Sequence, residues 1–133
     1  MDIFSHGLWT AAAYKAVELK QKKHFKIWWA VFFSLAPDLF SFGILFATRL
    51  VTLRLFQPEF IDDKGLHPEL VPQYVHILYN WTHSFLIFAA VFGLVWLFLK
   101  RPFWELGAWG LHIASDIFTH TDVFFPTPFL WPF

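Results

Sequence analysis

The sequence predicts an all-α integral membrane protein: a four-helix bundle with a long extracytoplasmic loop between helices 2 and 3. Three observations predict this fold. The 133 residues are 57% hydrophobic and 23% aromatic, more apolar surface than a soluble domain of this size can bury. Two segments are apolar over the length of a membrane span. Basic residues are concentrated in two short turns. We expect residues 1–133 to form a single domain.

The first two helices are predicted in the N-terminal third. Residues 3–19 have a small apolar face that includes Trp9 and Val17. Residues 27–48 carry a single charge, Asp38, over a length that can cross the hydrocarbon core. The start of the chain lacks the basic residues of a signal peptide, so we expect the mature protein to begin near Met1.

The other two helices are predicted in the C-terminal half. The third extends from about Ile77 to Leu99 and the fourth, which is shorter and more polar, from Phe103 to about Thr119. Before them, residues 49–74 contain proline, glycine and charges of both signs, which is typical of an irregular loop. The C-terminal segment FFPTPFLWPF contains several prolines and cannot continue a helix.

The basic residues predict the orientation of the bundle. They lie between the first two helices and between the last two: Lys15, Lys20, Lys22, Lys23, Lys26, Lys100 and Arg101. The positive-inside rule places both turns in the cytoplasm and the long loop outside. The sequence therefore predicts a multi-pass membrane protein.

Charge and cysteine content limit the chemistry. The formal net charge is zero, and no basic or acidic tail favours binding to nucleic acid. The chain has no cysteine, so it has neither a disulfide nor a thiolate ligand. A metal ion would be bound by imidazole, carboxylate and water.

All four predicted helices place an ionisable side chain at a similar depth. At about 1.5 Å per residue from the nearest basic turn, Asp38 lies about 18 Å, His6 about 21 Å, Asp116 about 22 Å and His83 about 25 Å into the bilayer. Charged and ionisable groups at such depth are costly, face the interior of the bundle and mark functional sites. We therefore expect these four side chains to converge.

Helical spacing extends this polar layer. Two groups of three polar residues each have the spacing of a single helical face. The first is His112, Asp116 and His120, at intervals of four residues, and the second is His76, Asn80 and His83. Imidazole and carboxylate are ligands for zinc and similar divalent ions. Hydroxyl groups that are expected to orient the rings lie beside them, at Ser41, Thr82, Ser84 and Thr119.

Simpler interpretations apply to several of these residues. His24 and His67 lie in charged or proline-rich turns, and we assign them no site role. For His76 and His120, near helix ends, a ligand role and an ordinary hydrogen-bonded role are equally well supported. Asp38 could also cap a helix broken at the preceding proline. These alternatives explain the common depth of the ionisable residues poorly.

Five short motifs carry a resemblance to a known family. In chain order they are FSHGL, LAPDLF, NWTHSF, LHIASDIFTH and PTPFLWPF. With them the chain resembles the bacterial membrane-bound metal-dependent hydrolases, which are thought to be distant relatives of zinc-dependent phospholipase C and P1-type nucleases. The resemblance implies a multi-pass protein of the bacterial inner membrane. It also implies a divalent metal ion, with zinc as first candidate, bound by His6, Asp38, His83, His112 and Asp116.

One position departs from that pattern. Many members carry a His-Arg pair shortly before Thr-His-Ser, where this chain has Leu78, Tyr79 and Asn80. The missing arginine removes a bidentate partner for phosphate, although Asn80 could replace it as a neutral donor or ligand. His76, Asn80 and His120 are therefore additional candidate ligands.

The expected function is metal-assisted hydrolysis of a membrane lipid ester or another small ester. A bound metal ion activates water at neutral pH, and Asp116 or Asp38 would accept its proton. The kinship implied by the resemblance favours a phosphoester. Two non-enzymatic alternatives stay open: an ion or proton relay, and a structural or regulatory membrane protein whose polar cluster fixes helix packing.

Overall fold

The computed structural model describes residues 3–51, 61–62, 65–66, 71–120 and 126–133, and His67 lies outside them. Apart from one short antiparallel pair, these residues are all-α. The helices are α1 (Ile3–Gln21), α2 (Ile27–Val51), α3 (Gln73–Thr82), α4 (Phe85–Leu99) and α5 (Gly107–Thr119), and a 3-10 turn at Trp104–Leu106 precedes α5. The pair is β1 (Ile61–Asp62) and β2 (Gly65–Leu66), with Ile61 opposite Leu66.

The predicted third helix is two helices. The axes of α3 and α4 differ by 56° at the break between Thr82 and Phe85. Ser84 causes the break locally, because it has extended backbone angles and its hydroxyl accepts hydrogen bonds from the amides of Leu86 and Ile87. This is an N-cap, which starts a new helix and does not continue the previous one. The prediction of four helices is corrected to five within the described residues.

Helix α2 is the central element of the fold and packs against α1, α3 and α5. It continues through Pro37, so Asp38 does not cap a broken helix. Among the described helices, α2 alone is long and apolar enough to cross a membrane by itself; α3 and α4 pass the same test only when they are taken together. The structure thus supports fewer independent spans than the sequence predicts.

Large apolar side chains cover the outside of the helices. Trp28, Phe98 and Phe118 are 86%, 84% and 87% exposed, respectively. The buried positions instead include small or polar residues, such as Ala30, Ala108, Ser34 and Ser41, and they allow the helices to approach closely. This inverted distribution is typical of a protein surrounded by lipid.

The C-terminal segment packs against the break between α3 and α4. The amide of Phe85 donates to the carbonyl of Phe129 at 2.9 Å. The hydroxyl of Ser84 donates to the carbonyl of Trp131 at 2.6 Å. The ring of Trp81 lies 5.2 Å from that of Trp131. As predicted, residues 126–133 do not form a helix, and their backbone stabilises the junction from which His83 projects.

Candidate metal centre

The five residues predicted as metal ligands come together in the interior. His6 lies on α1, His83 at the α3–α4 break, and His112 and Asp116 on α5, and these four are at most 2% exposed. Asp38, on α2, has a side chain that is 16% exposed and forms the open side of the cluster. Ligand atoms of Asp38, His83, His112 and Asp116 all lie within 4.8 Å of one another.

Asp116 is at the centre, and its two carboxylate oxygens face different histidines. Oδ2 lies 3.1 Å from Nε2 of His112 and 3.4 Å from Nε2 of His83. Oδ1 lies 3.0 Å from Nε2 of His6 and 3.4 Å from Nε2 of His120. The single carboxylate therefore joins α1, α5 and the α3–α4 break.

Asp38 completes the side of the cluster that contains Oδ2. Its Oδ1 lies 3.5 Å from Nε2 of His83 and 3.7 Å from Nε2 of His112. The two imidazole Nε2 atoms lie 3.0 Å apart. Three histidine or carboxylate ligands with an open position are typical of catalytic zinc sites, and Asp38, the most exposed of the four residues, would border that position if the other three held an ion.

Backbone contacts determine which nitrogen of His83 faces the cluster. Its Nδ1 lies 3.1 Å from the carbonyl oxygen of Tyr79. A carbonyl can only accept, so this hydrogen bond requires the proton on Nδ1 and leaves the lone pair of Nε2 directed at the carboxylates. Lone pairs facing carboxylate oxygens repel unless a cation, either a proton or a metal ion, lies between them. The donor set therefore fits a divalent cation.

Thr82 supports this orientation. Its hydroxyl lies 3.0 Å from Nδ1 of His83 and 2.8 Å from the hydroxyl of Ser41. Ser41 in turn donates to the carbonyl of Pro37 at 2.8 Å, within α2. The predicted role of Thr82 and Ser41 in orienting a ring is thus matched by their contacts, and the connection reaches the residue before Asp38.

The prediction that Ser84 orients a ring is wrong, and for Thr119 it stays a prediction. Ser84 caps α4 and donates to Trp131, as described above. Thr119 is exposed and donates to the carbonyl of Ser115, one turn earlier in α5. Both hydroxyls satisfy backbone groups that helix geometry brings close, which is a common use of Ser and Thr.

A second layer of buried hydroxyls lies beneath His6. Ser34 donates to the carbonyl of His6 at 3.0 Å, and Thr10 donates to Ser34 at 2.7 Å. The ring of His6 lies against that of His112, with centroids 3.9 Å apart. Nε2 of His6 and Nδ1 of His112 are buried and lack a geometrically satisfactory hydrogen bond within the described residues.

The sequence interpretation missed the role of Tyr79. Its hydroxyl lies 3.0 Å from Nδ1 of His120, and its ring stacks on His83 at 3.8 Å. Tyr79 lies four residues before His83, a spacing that places the two on one helical face and could have indicated the contact. His120 therefore contacts Asp116 through Nε2 and Tyr79 of α3 through Nδ1.

His76 and Asn80 do not belong to the four-residue group. Both lie on α3 and are half-buried. They precede His83 on the same helix, but the break after Thr82 changes the direction in which His83 projects. Their candidacy as ligands remains a prediction from spacing.

A cavity of about 340 Å³ opens beside the cluster, along the α1–α5 seam. His6 and Thr10 line its polar part, and Trp9, Leu111 and Phe118 line its apolar part. Two of these apolar side chains, Trp9 and Phe118, are 67% and 87% exposed, so the cavity is bordered by the apolar outer surface. The cavity thus connects the apolar outer surface with a wall that includes His6, whose side chain is 1% exposed.

Comparison with known proteins identifies the family. The family model described as YdjM inner membrane protein matches residues 1–133. No curated protein and no solved structure matches the chain. The predicted membership of the metal-dependent hydrolases related to phospholipase C and P1-type nucleases is therefore wrong. The whole chain matches a different family model, and this match provides no evidence of that kinship. The chain belongs to the YdjM inner membrane protein family, and its predicted localisation in the inner membrane is confirmed.

Proposed function

We propose that this inner membrane protein is a metal-dependent hydrolase. One observation supports the proposal most directly: the distances among the ligand atoms of Asp38, His83, His112 and Asp116. Five of these distances are 3.0, 3.1, 3.4, 3.5 and 3.7 Å. Two nitrogen ligands of one tetrahedral zinc ion lie about 3.3 Å apart, since each Zn–N bond is about 2.0–2.1 Å. His83, His112 and Asp116 thus approximate three corners of such a site, and Asp38 lies near the fourth.

The proposal assigns different tasks to the two carboxylates. His83, His112 and Asp116, whose ligand atoms are closest together and fully buried, hold the ion. Asp38 is 16% exposed and lies beside the remaining corner, so it is placed to accept a proton there. When bound, the divalent ion, with zinc as first candidate, would make water available as a nucleophile at neutral pH and polarise the ester oxygen.

Other residues position this set. Thr82 and the carbonyl of Tyr79 hold Nδ1 of His83, which fixes the direction of Nε2. His6 and His120 contact the Oδ1 side of Asp116 and thereby orient Oδ2 toward the ion. We include both as possible direct ligands of a larger centre, and metal stoichiometry distinguishes the two roles.

A membrane lipid ester is the proposed substrate. The cavity beside His6 is mainly apolar and borders the outer surface of the α1–α5 seam. An acyl chain would lie in this cavity, and the ester group would have to pass His6, because Asp38, His83, His112 and Asp116 do not line the cavity. We leave carboxylic and phosphoric esters as alternatives, because the kinship that favoured a phosphoester is not supported.

The proposed topology places α3 and α4 together as one bent span beside α2, with α1 and α5 completing a multi-pass bundle. The basic turns after α1 and after α4 lie at one end and would face the cytoplasm. The long loop would then be extracytoplasmic, and the cluster would lie in the outer half of the membrane.

The test combines metal content with hydrolysis. Protein purified without a chelator is expected to contain stoichiometric divalent metal by mass spectrometry. It should hydrolyse at least one member of a panel of phospho- and carboxyl-ester lipids, and lose this activity on chelation and regain it on addition of zinc. Absence of stoichiometric metal would contradict the proposal.

A non-enzymatic function is the second candidate. The side chains of the cluster contact one another closely enough to form a hydrogen-bonded network when protons replace the metal ion, as the 3.0 Å contact between His83 and His112 illustrates. Such a network would fix the packing of α1, α2, α3 and α5 or relay protons. It predicts a folded protein that contains no stoichiometric metal.

A further inference from the structure

A basic cleft lies at the end of the molecule where the α1–α2 turn meets the α4–α5 turn. Its volume is about 450 Å³. Lys23 and Lys26 line it from the first turn, and Arg101 lines it from the second. No residue of the metal centre lines this cleft, so it is a separate feature.

The acidic groups near the cleft already have partners. The carboxylate of Glu105 accepts a hydrogen bond from the backbone amide of Lys26 at 2.9 Å. Glu18 accepts from the amide of Phe25 and from Nζ of Lys15, both at 2.8 Å. Within the ranges that the structure describes, no carboxylate lies at ion-pair distance from Lys23 or Arg101. Of the described residues that line the cleft, Glu105 is the one carboxylate, against the three cationic side chains of Lys23, Lys26 and Arg101, so the cleft carries a net positive charge.

An apolar groove adjoins the cleft. It occupies about 470 Å³ between α1 and α5, and its apolar lining includes Ala13, Val17 and Leu111. The groove and the cleft share Lys23, Phe25 and Trp104, so an ammonium group and two aromatic rings lie where they meet. A charged compartment thus opens directly into an apolar one.

We propose that the cleft and the groove together bind an anionic phospholipid. The phosphate group would lie in the cleft between Lys23 and Arg101, and one acyl chain would lie along Val17 and Leu111. Aromatic rings at such a junction suit the boundary between headgroup and hydrocarbon. An inner membrane protein is surrounded by lipid, and basic residues near the surface attract anionic headgroups. This proposal does not depend on the hydrolase function.

Lipid retention by the purified protein tests the headgroup contact. In native mass spectrometry of the protein in detergent, we expect phosphatidylglycerol to be retained in preference to phosphatidylcholine. The double variant Lys23→Gln/Arg101→Gln should bind phosphatidylglycerol about 30-fold more weakly, because two basic contacts are lost. The control Lys22→Gln/Lys100→Gln removes the same charge from the same two turns outside the cleft and should retain the lipid.

A second variant tests the groove. Val17 lines the groove and not the cavity beside His6. Val17→Phe fills the space proposed for the acyl chain and should weaken retention of phosphatidylglycerol about tenfold or more, whereas soluble glycerophosphoglycerol should bind the variant and the wild type equally. Circular dichroism checks that each variant is folded. Equal retention of the two lipids by the wild type, equal effects of the two double variants, or undiminished retention by Val17→Phe would overturn the proposal.

Discussion

Nε2 of His83 and Nε2 of His112 lie 3.0 Å apart, although one residue follows α3 and the other lies on α5. The Nδ1 proton of His83 is held by the Tyr79 carbonyl, so Nε2 of His83 has no proton when its ring is neutral. This pair lies beside the carboxylates of Asp38 and Asp116, and its separation is close to the distance of about 3.3 Å between two nitrogen ligands of one zinc ion.

The first prediction concerns the two residues that should be required for metal binding. Asp116→Asn preserves volume but removes the anionic ligand, and His83→Ala removes a ligand from another part of the chain. Loss of a hydrogen bond to a metal ligand typically lowers metal affinity or activity about 10- to 100-fold. Each of these variants removes a ligand itself, so its metal binding and its hydrolytic activity should both fall by more than that. Metal analysis and ester hydrolysis on the same preparation measure both effects.

His24→Ala is the matched control for these variants. The side chain of His24 is 99% exposed, and the residue lies in the basic turn. This variant should retain both metal and activity. An Asp116→Asn protein with a full metal complement would disprove the proposed role of the carboxylate and favour the hydrogen-bonded network.

The second prediction separates the two carboxylates. Asp38→Asn should retain metal, since Asp38 lies farther from the histidine nitrogens than Asp116 does. Its turnover should fall about 100- to 10,000-fold, which is the usual contribution of a positioned general base. Single-turnover kinetics with metal-loaded protein provide the measurement. Loss of metal in this variant would make Asp38 a ligand and leave the base unassigned.

Convergence of the ionisable residues could be predicted from the sequence because helix rise converts residue number into depth. His6, Asp38, His83 and Asp116 lie on different elements, yet their predicted depths fall within about 7 Å of one another. The cost of burying an ionisable group in lipid implies that such residues face inward. The structure brings all four together, with His112 beside them.

The break at Thr82–Phe85 was harder to predict. An apolar run has the same composition whether a helix continues or restarts within it, so residues 77–99 were interpreted as one span. Ser84 lies directly before that run, and serine is a preferred N-cap residue that marks the start of a helix. The contacts of Ser84 and Phe85 with the C-terminal segment join distant parts of the chain, which no local pattern encodes.

The third prediction concerns the residue that orients His83. Thr82→Val keeps the shape of the side chain but removes the hydroxyl that contacts Nδ1 of His83 and Ser41. Metal affinity should fall about 10- to 100-fold, with the protein still folded. Competition with a metal chelator measures the affinity. Thr48→Val, on an exposed position of α2, is the control and should leave the affinity unchanged.

The fourth prediction concerns the cap at the start of α4. Ser84→Ala removes the acceptor for the amides of Leu86 and Ile87 and the donor to Trp131. Stability should fall by about 0.5–2 kcal/mol, as for other N-cap substitutions, while metal is retained because Ser84 does not contact a ligand ring. Thermal denaturation in detergent measures the change. Ser115→Ala, within α5, should have a smaller effect because its hydroxyl bonds only a carbonyl of its own helix in the described contacts.

The last prediction concerns orientation in the membrane. The chain has no cysteine, so a single introduced cysteine can be labelled without background. Gln73 is exposed at the start of α3, and Lys22 is exposed in the basic turn after α1. If the basic turns are cytoplasmic, Gln73→Cys should react with an impermeant thiol reagent in intact cells, and Lys22→Cys should react only after the membrane is permeabilised. Both variants should label fully in detergent, which verifies that each thiol is accessible. Labelling of Lys22→Cys alone in intact cells would invert the topology and place the His83–Asp116 cluster in the cytoplasmic half of the membrane, where a hydrolase would encounter lipids of the inner leaflet.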